Sequence, residues 1–145
     1  LGDVYKRQQK DYVFDAERMV QTTGDTGPYL QYAHARCCQV LRHADDQGIT
    51  ERRVTRVDEP AEQALAMALS RFGDVVADLA RNLQPHKLCT YLFELATAYS
   101  VFYEQCPVLK SEGEVRASRL GLCEATRNVL AKGLDLLGIE APERM

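Results

Sequence analysis

Apolar positions recur at intervals of three and four along most of the chain, and no stretch alternates with period two for long enough to make a strand. The pattern predicts helices. The clearest begins at Pro85 and ends before Cys106-Pro107, with Leu88, Tyr91, Leu92, Leu95, Ala98, Tyr99 and Phe102 in one unbroken stripe. A second runs from Pro28 to about Ala44, with Tyr29, Tyr32, Ala33, Cys37, Val40 and Leu41 as its apolar positions; Asp25 or Thr26 is placed to accept from its first N–H groups. A third covers about Glu114 to Leu137. Its buried face is expected at Val115, Leu122, Cys123, Val129, Leu130, Leu134 and Leu137, with Gly138 as its C-terminal cap.

The remaining elements are shorter. Phe14 to Thr23 reads as a helix capped by Asp15 and stopped by Gly24. Pro60 opens another to about Phe72, Gly73 punctuates, and a further helix follows from Asp74 to Asn82. Between them, residues 45–58 are polar and contain Gly48, so they predict a surface loop, slightly extended from Arg53 to Val57. The product is an all-α bundle of five or six helices, with no repeat at a fixed period.

Composition supports one globular domain: 145 residues, 46% hydrophobic and 27% charged. No run of about 20 apolar residues is present to cross a bilayer. The net charge of −3 is spread evenly, because residues 1–48, 49–84 and 85–145 each carry one more acidic than basic group. Such a chain cannot hold nucleic acid by a broad field, so any such role needs a local, shape-matched patch. The five cysteines are odd in number, and no pair has the two-residue spacing of a zinc or redox site. Buried thiols in a reducing cytosol are expected. The chain starts at Leu1, so it is expected to be part of a longer protein whose natural carboxyl end it retains. Residues 1–9 show no pattern joining them to the rest and are an unassigned lead-in.

Candidate chemistry is sparse. His34 and Cys38 share one helix face and His86 and Cys89 another, but nothing in the sequence ties the two pairs together, and no metal site is expected. A Cys–His nucleophile lacks an activating loop, and there is no glycine-rich phosphate loop. Two features rise above this background. Tyr29, Tyr32 and Arg36, at spacings of three, four and seven, share one side of the Pro28 helix, where two flat rings and a guanidinium suit unpaired bases. The terminal Gly-Ile-Glu-Ala-Pro-Glu-Arg-Met places Ile139 and Pro142 close behind a helix cap, which suggests a tail packed on the bundle.

These features sit in segments that resemble the C-terminal region of bacterial-type arginyl-tRNA synthetases. The matching pieces are KDYVFDAERM at 10–19, GDTGPYLQYAHAR at 24–36, the run from Tyr91 through CPVL at 106–109, Arg119-Leu120, and LAKGLDLLGIEAPERM at 130–145. The resemblance implies a class I synthetase anticodon-binding fold over residues 25–145, preceded by a connecting helix at 10–24. It implies a cytoplasmic parent that joins arginine to its tRNA, converting ATP with magnesium to AMP and pyrophosphate. The His-Ile-Gly-His-like and Lys-Met-Ser-Lys-like signatures of that chemistry are not in this chain, so no catalytic residue and no cofactor is expected in it. The implied partners are the tRNA for arginine and the catalytic domain of the same parent, with neither membrane nor DNA. The resemblance also implies that Tyr29, Tyr32, Arg36 and Met145 lie against the anticodon loop. Arg52, Arg53 and Arg56 are candidate contacts to the RNA backbone. The alternative is a helical protein-interaction module without RNA binding.

Overall fold

The computed structural model describes residues 14–21 and 26–145. Among these there are six helices and no strand: α1 (Ala16–Met19), α2 (Gly27–Asp46), α3 (Pro60–Ser70), α4 (Phe72–Asn82), α5 (Pro85–Gln105) and α6 (Gly113–Leu136). The expected all-α bundle is what forms. α1 is a single turn, shorter than the expected helix from Phe14 to Thr23, although Asp15 does cap it by accepting from the Arg18 N–H at 3.1 Å. The expected stop at Gly24 and the alternative cap at Asp25 lie outside the described residues.

α5 is the hub, packing against α2, α3, α4 and α6. Leu88, Tyr91, Leu92, Leu95, Tyr99 and Phe102 of its predicted stripe are buried, and Ala96 joins them. A stripe this wide on a 21-residue helix leaves apolar surface for several neighbours at once. α2 packs most extensively on α6. The approach of α5 to α6 is set by Gly133: a Cβ there would sit 2.5 Å from Leu92 Cδ2.

α2 and α6 stop by the same device. Gly48 and Gly138 take left-handed φ values of 70° and 71°. Their N–H groups donate to Asp45 O and Asp135 O, and those of Ile49 and Ile139 to Ala44 O and Leu134 O, all at 2.9 Å. This double bond is the Schellman arrangement, and glycine adopts its left-handed residue without steric cost.

The break between α3 and α4 falls at Arg71 and not at Gly73, which is helical inside α4. Tyr91 explains the position. Its hydroxyl donates to the Ala68 carbonyl at 2.9 Å, its ring stacks on Phe72 at 6.0 Å, and the Arg71 guanidinium lies 5.8 Å from it. The aromatic pair holds the corner that sequence punctuation had assigned to glycine.

Residues 50–58 form neither helix nor strand and lie as a strap along α6. Ser118 Oγ, buried in α6, accepts from the N–H of Thr55 at 3.0 Å and of Arg56 at 3.3 Å. Gly121 allows the strap to touch the helix, since a Cβ there would be 2.8 Å from Val54 Cγ2 and 3.1 Å from Val54 N. At the strap's end, Glu62 accepts from the N–H of Asp58 and Glu59 and from Arg119 of α6.

Candidate functional site

The carboxyl-terminal segment turns at Gly138 and runs beside α2. Three α2 side chains hold three of its carbonyls: Gln31 Nε2 donates to Glu140 O at 2.8 Å, His34 Nδ1 to Pro142 O at 2.9 Å, and Arg42 Nη1 to Glu143 O at 3.0 Å. The tail is therefore packed on the bundle, as the sequence suggested. Between it and α2 opens a recess of about 340 Å³, lined by Tyr32, Ala35, Arg36, Gln39, Arg42 and His43 on one side and Glu143, Arg144 and Met145 on the other.

Of the residues singled out from the sequence, the structure brings Tyr32, Arg36 and Met145 together around this recess and does not bring Tyr29 to it. The Arg36 Nη2 donates to the Tyr32 hydroxyl at 2.9 Å, and its guanidinium carbon lies 4.7 Å from the Tyr32 ring and 4.9 Å from the Tyr103 ring. Burial opposes the Arg36 charge, but the Tyr32 hydroxyl and the surrounding tyrosines outweigh it and hold the guanidinium more firmly protonated than usual. Tyr29 instead stacks on Phe93 of α5 at 6.4 Å with 12° between planes, and its hydroxyl is 3.3 Å from Ser100 Oγ. Spacing of three and seven placed all three residues on one side of α2. The neighbour α5 divides that side into a packed part and an open one.

The expected basic strip needs correcting at Arg52. That side chain is 16% exposed and is bound to Asp45 and Glu124, joining the end of α2 to α6. It ties two elements of the fold together. Arg56 pairs with Asp58 at 2.5 Å in the open, while the exposed Arg53 has no side-chain partner among the described residues.

Three residues of the site were missed by the sequence reading. Tyr103 stands one turn beyond Tyr99, outside the buried stripe, and is 42% exposed. Arg42 and Arg144 line the recess, so three arginines face one glutamate there in a chain whose net charge is −3. Arg42 stands six residues after Arg36, about 120° round the helix, so the face drawn through Tyr29, Tyr32 and Arg36 gave no signal for it.

Four of the five cysteines, Cys37, Cys38, Cys106 and Cys123, are buried. Burial pushes the Cys123 thiol up to about 12 and the Cys37 thiol well above its ordinary value. Among the described residues, no three of His, Cys, Asp and Glu are grouped so as to hold a metal ion. His34 is engaged by Pro142 through Nδ1, and Cys38 Sγ lies beside the ring, 3.8 Å from Nε2 and 3.9 Å from Nδ1.

Fold and recess together define an all-helical recognition domain: the Tyr32 ring, the Arg36 guanidinium against it and the tail residues line one small opening, with Tyr103 against the same guanidinium. The chain belongs to the DALR anticodon binding domain family, whose model matches residues 30–145. It is 64% identical to the arginine–tRNA ligase of Cutibacterium acnes, with 99% of this chain covering 28% of that protein. It is 52% identical to the ligase of Frankia casuarinae, covering 24% of it. Among solved structures, the arginyl-tRNA synthetase of Thermus thermophilus superimposes with a TM-score of 0.82 at 38% identity, over 91% of this chain and 23% of that one. The chain thus spans about a quarter of the length of the curated relatives it matches. No helix among the described residues is long and apolar enough to cross a membrane.

Proposed function

We propose that this chain is the part of an arginine–tRNA ligase that recognises the anticodon loop of the tRNA for arginine. The observation that carries the reading is the recess between α2 and the tail, where Arg36 lies against Tyr32 and Tyr103. Arginine codons all have G in the middle, so the matching anticodons all have C there. Cytosine presents an exocyclic amine as donor beside ring acceptors. Arg36 and Arg42 supply donors for the acceptors. Of the tail residues lining the recess, Glu143 already has its carbonyl bound by Arg42, and the Arg144 carbonyl and Met145 carboxylate are acceptors for the amine. Tyr32, whose ring lines the recess, supplies a face on which an unstacked base can lie, and Tyr103 backs Arg36.

In this reading, arginine, ATP and magnesium are handled by a catalytic domain elsewhere in a cytoplasmic parent, which yields arginyl-tRNA, AMP and pyrophosphate. The 145 residues alone then show no arginine-dependent ATP–pyrophosphate exchange. Their binding to RNA is weak, because other parts of the parent hold the rest of the tRNA. Titrating the chain with an anticodon stem–loop bearing the middle C, and with the same stem–loop carrying U there, tests the proposal. The first should bind roughly tenfold or more tightly than the second. Equal affinity, or no binding to either at millimolar RNA, overturns it and favours a helical module that binds protein.

A further inference from the structure

We infer that His34 is a positioning residue for base recognition: it sets the register of the tail against α2, and so places the main-chain groups that face the recess. The inference rests on the reading of the recess as an anticodon site.

His34 is 4% exposed and does not line the recess itself. A buried imidazole must satisfy both ring nitrogens or lose the hydrogen bonds that water gave them. Nδ1 is 2.9 Å from the Pro142 carbonyl, which can only accept, so this nitrogen carries the proton. Cys38 Sγ lies 3.8 Å from Nε2 and 3.9 Å from Nδ1, nearly equidistant, so it packs beside the ring and not in line with the Nε2 lone pair. The Pro142 carbonyl thereby fixes the tautomer, and the imidazole points a donor at a single tail carbonyl.

The location of that carbonyl makes the contact consequential. Pro142 has no N–H, so its residue can be anchored to α2 only through the carbonyl. Gln31 and Arg42 hold Glu140 and Glu143 through exposed, long side chains. His34 is the short, buried anchor between them. A shift of the tail by one residue would put a different main-chain group opposite Arg36 and move Met145 out of the recess. The histidine thus acts on the ligand through the tail and never touches it.

Two variants of the 145-residue chain test this, each first checked by thermal melting for a native fold. His34→Phe fills the volume and removes the donor; His34→Asn keeps an amide N–H at the place of Nδ1. With His34→Phe, carboxypeptidase should release Met145 and Arg144 several times faster, and binding of the stem–loop with the middle C should weaken roughly tenfold. His34→Asn should restore both. In a chain shortened to Pro142, His34→Phe should have no further effect on RNA binding, because the groups it places are gone. If carboxypeptidase release is unchanged in a folded His34→Phe chain, the anchoring role is wrong. If release accelerates while RNA binding holds, the tail is anchored by His34 but does not govern recognition, and the inference also fails. Lack of binding by the unsubstituted chain overturns the anticodon reading instead, with carboxypeptidase release still reporting on the anchor. Should His34→Phe not fold, the comparison of His34→Asn with His34→Gln, whose amide reaches one bond further, carries the same two readouts.

Discussion

Arg119 and Glu62 form an ion pair enclosed by protein: Nε lies 2.6 Å from Oε1, with the two side chains 12% and 4% exposed. Arg119 also donates to the Pro107 carbonyl at 2.8 Å, while the other Glu62 oxygen takes the N–H groups of Asp58 and Glu59. One pair thus gathers the end of the strap, the start of α3, the turn after α5, and α6. Removing one member leaves the other buried and uncompensated, so Arg119→Ala should cost about 3–5 kcal/mol in urea unfolding. A loss below about 0.5 kcal/mol would show that the junction is held by packing alone.

The same pair sets an acid limit. Burial pushes the Glu62 carboxyl up, but the Arg119 hydrogen bond and the two N–H groups outweigh it and hold the group below its ordinary value of 4.5. A depressed carboxyl in the folded state means that the unfolded chain takes up the proton first. Its contribution is therefore complete above the ordinary value and disappears as pH falls through the lower, folded one. Glu62→Gln should be less stable at neutral pH and should lose less stability than the unsubstituted chain on acidification, as followed by urea midpoints.

Gly133 faces the end of a flexible side chain, so its replacement is a question of sign. Helix propensity favours Gly133→Ala by about 1 kcal/mol, whereas displacing Leu92 costs about 1–3 kcal/mol. We expect a net loss of about 1 kcal/mol. In a Leu92→Ala background the same change should stabilise, because the obstructing methyls have gone; a double-mutant cycle measures this reversal.

Ser118→Ala should release the strap. Two N–H groups lose one acceptor, at about 1–3 kcal/mol, and hydrogen exchange at Thr55 and Arg56 should quicken more than at α5. Unchanged exchange at those two amides would place the strap's anchor elsewhere, with Gly121 the next site to alter.

The two tyrosines of α2 should separate. Tyr29→Phe loses a hydroxyl contact to Ser100 and about 0.5–1.5 kcal/mol of stability, while binding of the anticodon stem–loop holds. Tyr32→Ala and Arg36→Ala should weaken that binding by about 1–3 kcal/mol with melting little changed. A folded Arg36→Ala chain that binds normally and still prefers the middle C removes Arg36 from the site.

What the sequence could reveal followed from how local each cause was. The α5 stripe, the proline starts and the glycine stop at Gly138 are consequences of spacing and backbone geometry within a few residues, and they were legible. The corner at Arg71 was not, because it depends on Tyr91, 20 positions along the chain. Arg52 looked like a surface charge, since neither Asp45 nor Glu124 is its neighbour in any helical pattern. Tyr29 was separable from Tyr32 only once Phe93 and Ser100 were known to lie beside it. The resemblance supplied the tail's importance, but the anchors of that tail came from the fold.

The recess gathers three guanidinium groups in a chain that is otherwise slightly acidic. This sparse supply limits how much of the interaction can depend on displaced counterions. Each phosphate contact to a single strand adds about 0.7 to the slope of log affinity against log salt, so three arginines set a ceiling of about 2. Stacking and hydrogen bonds to a base carry no such dependence. On the anticodon reading, indiscriminate adhesion of RNA to the surface should fade with rising salt well before a base held in the recess is released. A polyanion held by charge alone therefore gains little here, and discrimination should improve under the ionic conditions that weaken most basic RNA-binding surfaces.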